Sequence, residues 1–90
     1  MLYAIICIDK PGAIETRKTN REAHLAHING ADGAIVQAGP FLDEAGEMCG
    51  SLLIYEGDRE GAEAWAAADP YTKAGLFERV EIRTWKRVVG

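Results

Sequence analysis

The segment Leu2–Ile8, LYAIICI, is apolar on both of its alternating faces, with Leu2, Ala4, Ile6 and Ile8 on one and Tyr3, Ile5 and Cys7 on the other. Successive side chains of a strand point to opposite sides of the sheet, so such a segment is stable only where both sides are covered. The block CGSLLIYE, from Cys49 to Glu56, repeats the pattern, setting Leu52 and Ile54 against Leu53 and Tyr55. Two central strands are therefore predicted. A chain of 90 residues has enough apolar content for one core and little surplus for a second, so a single domain over residues 1–90 is expected.

Glycine and proline divide the rest into short blocks. The first strand ends at DKPG, a turn signal, and helix formers follow from about Ile14 to Ile28, where Thr19 and Glu22 have capping-box spacing. NGADG closes that helix, and AIVQAG reads as a second strand stopped by Gly39 and Pro40. DEAGE is the hairpin loop into the third strand. Asp58 is placed to cap a helix through REGAEAWAAA, which ends before Asp69 and Pro70 because the residue ahead of a proline avoids the α region. Asp69 in turn is placed to cap a short turn with Pro70 at its first position. The final block, RVEIRTWKRV, alternates Val80, Ile82 and Val88 with Glu81, Arg83 and Arg87, as an edge strand half in water does.

The order βαββαβ, with its two crossover connections, predicts an α+β, ferredoxin-like fold: an antiparallel four-stranded sheet of order 4-1-3-2 with both helices on one face. The opposite apolar face is then bare in a monomer, and a second copy is the simplest cover. A homodimer packed sheet against sheet is expected.

The chain carries 14 acidic and 10 basic residues, a formal net charge of −4, and no basic run. That argues against a nucleic-acid surface. The opening apolar run is too short to span a bilayer and lacks the basic start of a secretion signal, so a cytoplasmic protein without membrane association is expected. Cys7 and Cys49 have no C-x-x-C spacing, which favours two buried reduced thiols, with a disulfide between them as the alternative.

The two histidines, His24 and His27, lie three residues apart in the first helix. On a continuous helix from Ile14, at ~100° per residue, Ile14, Leu25 and Ile28 form the stripe facing the sheet. His24 then falls at the edge of that stripe on the side of Arg17, and His27 falls towards solvent. A boundary imidazole is shielded by neighbours yet open to a small ligand, which makes His24 the candidate for chemistry. No further histidine stands at ligand spacing, so no metal site is expected. There is no Gly-rich phosphate loop, and no cofactor is implied.

The residues Arg17, Arg21, His24 and Leu25, the AGP of Ala38–Pro40, the GS of Gly50 and Ser51 and the ADPY of Ala68–Tyr71, taken together on a βαββαβ frame, resemble the YciI-like, YCII-related family of small bacterial proteins. The resemblance runs over essentially the full length. It implies a ferredoxin-like fold, dimers of the dimeric α/β barrel type, and a site built on a His and an Asp, here His24 and Asp69. Some relatives are linked to dehydrochlorination of chlorinated hydroxyquinols, and the wider superfamily includes muconolactone isomerase-like enzymes and ligand-binding modules. The short loop within FLDEAGEM departs from longer relatives and bears on the pocket rim.

On that basis Asp69 orients His24 for proton transfer, or serves only as a helix cap. Arg17 is a candidate to bind a substrate carboxylate or phenolate through its guanidinium fork. Ser51 is a candidate substrate hydrogen-bond partner, Gly39 permits close approach of ligand or backbone, Pro40 ends an edge strand, and Tyr71 walls the pocket. Trp65 and Trp85 are assigned to packing. The expectation is a small-molecule lyase or isomerase acting on a small acidic or aromatic substrate; the alternative is a non-catalytic dimeric module that binds a small ligand or a partner.

Overall fold

The computed structural model describes residues 1–90 and carries four strands, β1 (Leu2–Asp9), β2 (Ile35–Leu42), β3 (Met48–Glu56) and β4 (Phe77–Trp85), and four helices, α1 (Ile14–Thr19), α2 (Arg21–Asn29), α3 (Arg59–Ala68) and α4 (Pro70–Lys73). The strands form one antiparallel sheet in the order β2-β3-β1-β4, the predicted order read from its other edge. With the helices on one face, this is the ferredoxin-like α+β fold.

The register explains why the two central strands are apolar throughout. Ile5 lies opposite Leu53 on one side and Ile82 on the other, all directed at the helices. Tyr3, Ile5, Cys7 and Leu53 form the core with Ala62 and Ala66 of α3, and Trp65, Ile28 and Phe77 pack around it. Alanines four residues apart present one small-residue face of the helix, which lets α3 lie close to the sheet. The opposite face carries Leu2, Ala4, Ile6 and Ile8 beside Leu52 and Ile54, with no helix over it; Leu52 is 36% exposed there. Charges from β4 fringe that face, Arg83 opposite Ala4 and Glu81 opposite Ile6.

Both predicted aspartate caps form. Asp58 Oδ1 accepts the Gly61 N–H at 2.7 Å at the start of α3, and Asp69 Oδ1 accepts the Tyr71 N–H at 2.9 Å at the start of α4. Pro70 occupies the first position of α4, where a missing N–H costs nothing.

Four local expectations are corrected. The first helix is not continuous: Asn20 separates α1 from α2, and its side-chain amide donates back to the Thr16 carbonyl at 2.9 Å, a bond that competes with helix propagation. The restart at Arg21 uses no side-chain cap, so the Thr19–Glu22 box does not form. β2 does not stop at Gly39 and Pro40 but runs on to Leu42; it is an edge strand paired only with β3, where proline is tolerated because one side of the strand needs no ladder bonds. β4 ends at Trp85, leaving Val88 beyond the strand and 85% exposed.

Candidate active site

The break at Asn20 changes which residues of the first helical segment turn inward. Leu25, expected in the sheet-facing stripe, is 39% exposed, whereas Arg17 and His24 are buried at 2% and 7%. A helical wheel drawn through a break carries the wrong phase into the second half. His27 is also corrected: it does not point to solvent. Its Nε2–H donates to the Trp65 carbonyl at 2.9 Å and its ring stacks on the Trp65 indole at 4.4 Å, so it ties α2 to α3. The two imidazoles thus serve different surfaces, and no group of three or more His, Cys, Asp or Glu side chains converges in the molecule.

His24 meets Asp69. The ring Nδ1 lies 2.9 Å from Oδ1 and 3.0 Å from Oδ2 of a carboxylate that is 1% exposed. A carboxylate only accepts, so Nδ1 carries a hydrogen, and in the neutral ring Nε2 holds the lone pair. Nε2 has no protein partner and is not sealed from solvent, and His24 lines a cavity. The two readings of Asp69 coexist, because the oxygen that caps α4 is also one that His24 meets. Tyr71, placed by that cap, stacks on the His24 ring with centroids 4.0 Å apart and planes 15° from parallel. Burial raises the Tyr71 phenol above its ordinary range, against the opposing effect of the nearby Arg17 charge.

Arg17 is already engaged. Its Nε and Nη2 donate to Asp9 at 2.7 and 2.8 Å, and Nη2 also donates to Ser51 Oγ at 3.0 Å. The fork expected to take a substrate anion is therefore filled by Asp9. Burial works against the guanidinium charge, but the hydrogen bonds and charge of Asp9 outweigh it and hold Arg17 above its usual value. Arg17 also lies over the Tyr71 ring, with Cζ 4.7 Å from the centroid. Asp9 was not singled out from sequence. Its signal was its phase, two residues after Cys7 on the helix-facing side of β1.

The cavity has a volume of about 220 Å³, with Arg17, Arg21, His24 and Tyr71 on its helix side and Ala38, Gly39, Pro40 and Ser51 on its strand side. Pockets for drug-sized ligands run roughly 300–1,000 Å³, so this one suits a single ring. Of the residues expected to act together, His24, Arg17, Ser51, Gly39, Pro40 and Tyr71 all line it, and Asp69 stands behind His24. A Cβ on Gly39 would meet nothing within 4 Å, so no protein backbone requires glycine there. At Gly50 the opposite holds: a Cβ would collide with the Cys7 carbonyl oxygen, and this close approach of β1 and β3 sets Ser51 against Arg17.

Comparison with known proteins identifies the family of this fold. The YCII-related domain matches residues 1–86, and the chain belongs to the YCII-related family. Protein YciI of Escherichia coli O6:H1 is 39% identical, with 98% of this chain and 99% of that protein covered. An uncharacterized protein of Haemophilus influenzae is 33% identical over the same shares. Among solved structures, 5-chloro-2-hydroxyhydroquinone dehydrochlorinase from Burkholderia phenoliruptrix, in complex with 2,5-dihydroxybenzoquinone, superposes with a TM-score of 0.87 at 35% identity, covering 96% of this chain and 94% of that one. A protein from Bacteroides thetaiotaomicron named as a putative antibiotic biosynthesis monooxygenase shares the fold alone, with a TM-score of 0.62 at 13% identity. No helix is long and apolar enough to cross a membrane.

Both cysteines are free thiols. Cys7 lies under the site, and burial, followed by the negative charge of Asp69, pushes its thiol up to about 12 from an ordinary 9.0 despite the opposing Arg17 charge. A thiol raised on folding stabilises the protein fully below its unfolded value; that contribution is lost as pH climbs from about 9 through about 12. At pH 8, iodoacetamide is expected to alkylate half-buried Cys49 well before Cys7 in the native protein, and both alike in urea. Equal native rates, followed by peptide mass spectrometry, would contradict this.

Proposed function

We propose that the protein is a small-molecule enzyme in which His24, oriented by Asp69, moves a proton on a hydroxylated aromatic substrate in an elimination or isomerisation. The observation that carries this reading is the buried Nδ1–carboxylate contact at 2.9 Å, which leaves Nε2 as a base at a pocket of one-ring size. The 35% identity to a dehydrochlorinase, spread over nearly the whole chain, supports the substrate class.

On a chlorinated hydroxyquinol the chemistry balances without a redox partner. A ring hydroxyl gives its proton to Nε2, its oxygen becomes a carbonyl, and the proton is returned to the ring carbon that bears chlorine. That step is an isomerisation. Loss of the proton from the hydroxyl across the ring then expels chloride with the bonding pair, giving a hydroxyquinone, chloride and a proton. No cofactor is required, because the leaving group carries away the electrons. Arg17 and Ser51 line the pocket where the oxygen substituents would lie, Asp9 fixes Arg17, and Tyr71, Gly39 and Pro40 shape the walls.

Release of chloride from 5-chloro-2-hydroxyhydroquinone tests the reading. His24→Ala is expected to lower turnover by about 10²–10⁴-fold, the usual contribution of a positioned base. Asp69→Asn, whose amide oxygen still caps α4, is expected to lower turnover with little change in Tm. An unchanged rate in His24→Ala, or no chloride release by the unsubstituted protein, rejects it.

We also propose that two copies pack through the open sheet face, since Leu2, Ile6 and Leu52 there have no helix over them. Light scattering is expected to give a dimer mass that Leu52→Glu converts to monomer. A monomer that persists on concentration of the unsubstituted protein contradicts it.

A further inference from the structure

The chain has an excess of acidic residues, 14 against 10 basic, yet the cavity wall holds Arg17, Arg21 and His24 and not one aspartate or glutamate. The cations in that wall differ in their state. Arg17 is neutralised by Asp9 through two hydrogen bonds. Arg21 forms no salt bridge, since the molecule's three join Arg17 to Asp9, His24 to Asp69 and Arg83 to Glu81. Arg21 is exposed, begins α2 and lines the cavity. An unpaired guanidinium at the mouth of a half-enclosed pocket, in a protein of opposite net charge, is a local positive potential that favours anions.

We infer that Arg21 is a specificity-determining residue that selects ligands carrying an ionised oxygen, a carboxylate or a phenolate, at the ring position away from His24. Arg21 and His24 are three residues apart in one helix, neighbours on a single face roughly 5–6 Å apart at Cβ. Both side chains line the one cavity from that face, so a ring that meets Nε2 with one oxygen can offer a second, ionised oxygen to Arg21. The charge of Arg21 is felt inside the cavity, where it acts on the Tyr71 phenol. The arginine fork is suited to bidentate binding of a carboxylate, and Arg21 has both edges free for it. Ring compounds are accordingly ranked by charge, those with an ionised oxygen bound ahead of their neutral counterparts.

This inference rests on the cavity being the ligand site proposed above, but it does not require that the bound molecule be turned over. Calorimetric titration with 2,5-dihydroxybenzoate and with its neutral counterpart 2,5-dihydroxybenzamide separates the two. The unsubstituted protein is expected to bind the acid more tightly than the amide. Arg21→Gln is expected to weaken the acid by about tenfold, as for loss of one charge-assisted contact, with the amide unaffected, and Arg21→Lys restores part of the loss. Lys18→Gln, which removes an equal charge from an exposed position of α1 outside the cavity, is expected to change neither. If Arg21→Gln binds the acid as tightly as the parent, or if the parent does not prefer the acid, the inference is overturned. Retained acid selectivity in a His24→Ala variant that has lost turnover supports the assignment independently. A His24→Ala variant with full turnover and an Arg21-dependent preference defeats the proton-transfer reading alone.

Discussion

One carboxylate oxygen holds the site together. Asp69 Oδ1 accepts the N–H that starts α4 and faces Nδ1 of His24, so the junction of α3 with α4 and the orientation of an α2 side chain are set by the same atom. Because α4 is only four residues long, it has little helical cooperativity of its own and relies on its cap and on Pro70 for its position. Tyr71 follows directly, and its ring then stacks on the imidazole it helps to enclose.

The interior shows how much of a small domain is given over to this arrangement. Of 15 buried residues, four are Arg17, His24, Ser51 and Asp69, all polar and all connected to the cavity. Burying ionised groups costs several kcal/mol each before pairing, and a leucine at either helix position would serve packing better. The charges are tolerated because each meets a partner: Arg17 meets Asp9 and Ser51, and His24 meets Asp69. Four polar groups inside a 90-residue chain, three of them ionisable, are thus held by one another and by Asp9.

Much of the fold was legible because it depends on periodicity and local punctuation. The two-faced apolar strands put β1 and β3 at the sheet centre, the crossover rule then fixed the order, and Asp58 and Asp69 announced their caps by position. The site was legible only in part. His24 was placed by helical phase, but the break at Asn20 has no strong stop signal such as Gly or Pro beside it, and beyond it Leu25 turns out and His24 turns in. His27 was misplaced for the same reason. Asp9 escaped notice because its pairing with Arg17 bridges a turn, and such a contact leaves no spacing rule in the sequence. The extension of β2 past Pro40 could not be read until its edge position was known, since proline reads as a stop in isolation.

The central claim is that Asp69 fixes the tautomer of His24 with its free lone pair at the cavity. Long-range ¹H–¹⁵N correlation of the imidazole resonances measures this directly. In neutral His24 the hydrogen is expected on Nδ1, with an Nε2 signal characteristic of an unprotonated nitrogen, and Asp69→Asn, which puts an amide donor in the place of Oδ2 beside Nδ1, is expected to weaken that preference. Finding the hydrogen on Nε2, or a tautomer mixture indifferent to Asp69→Asn, would contradict it.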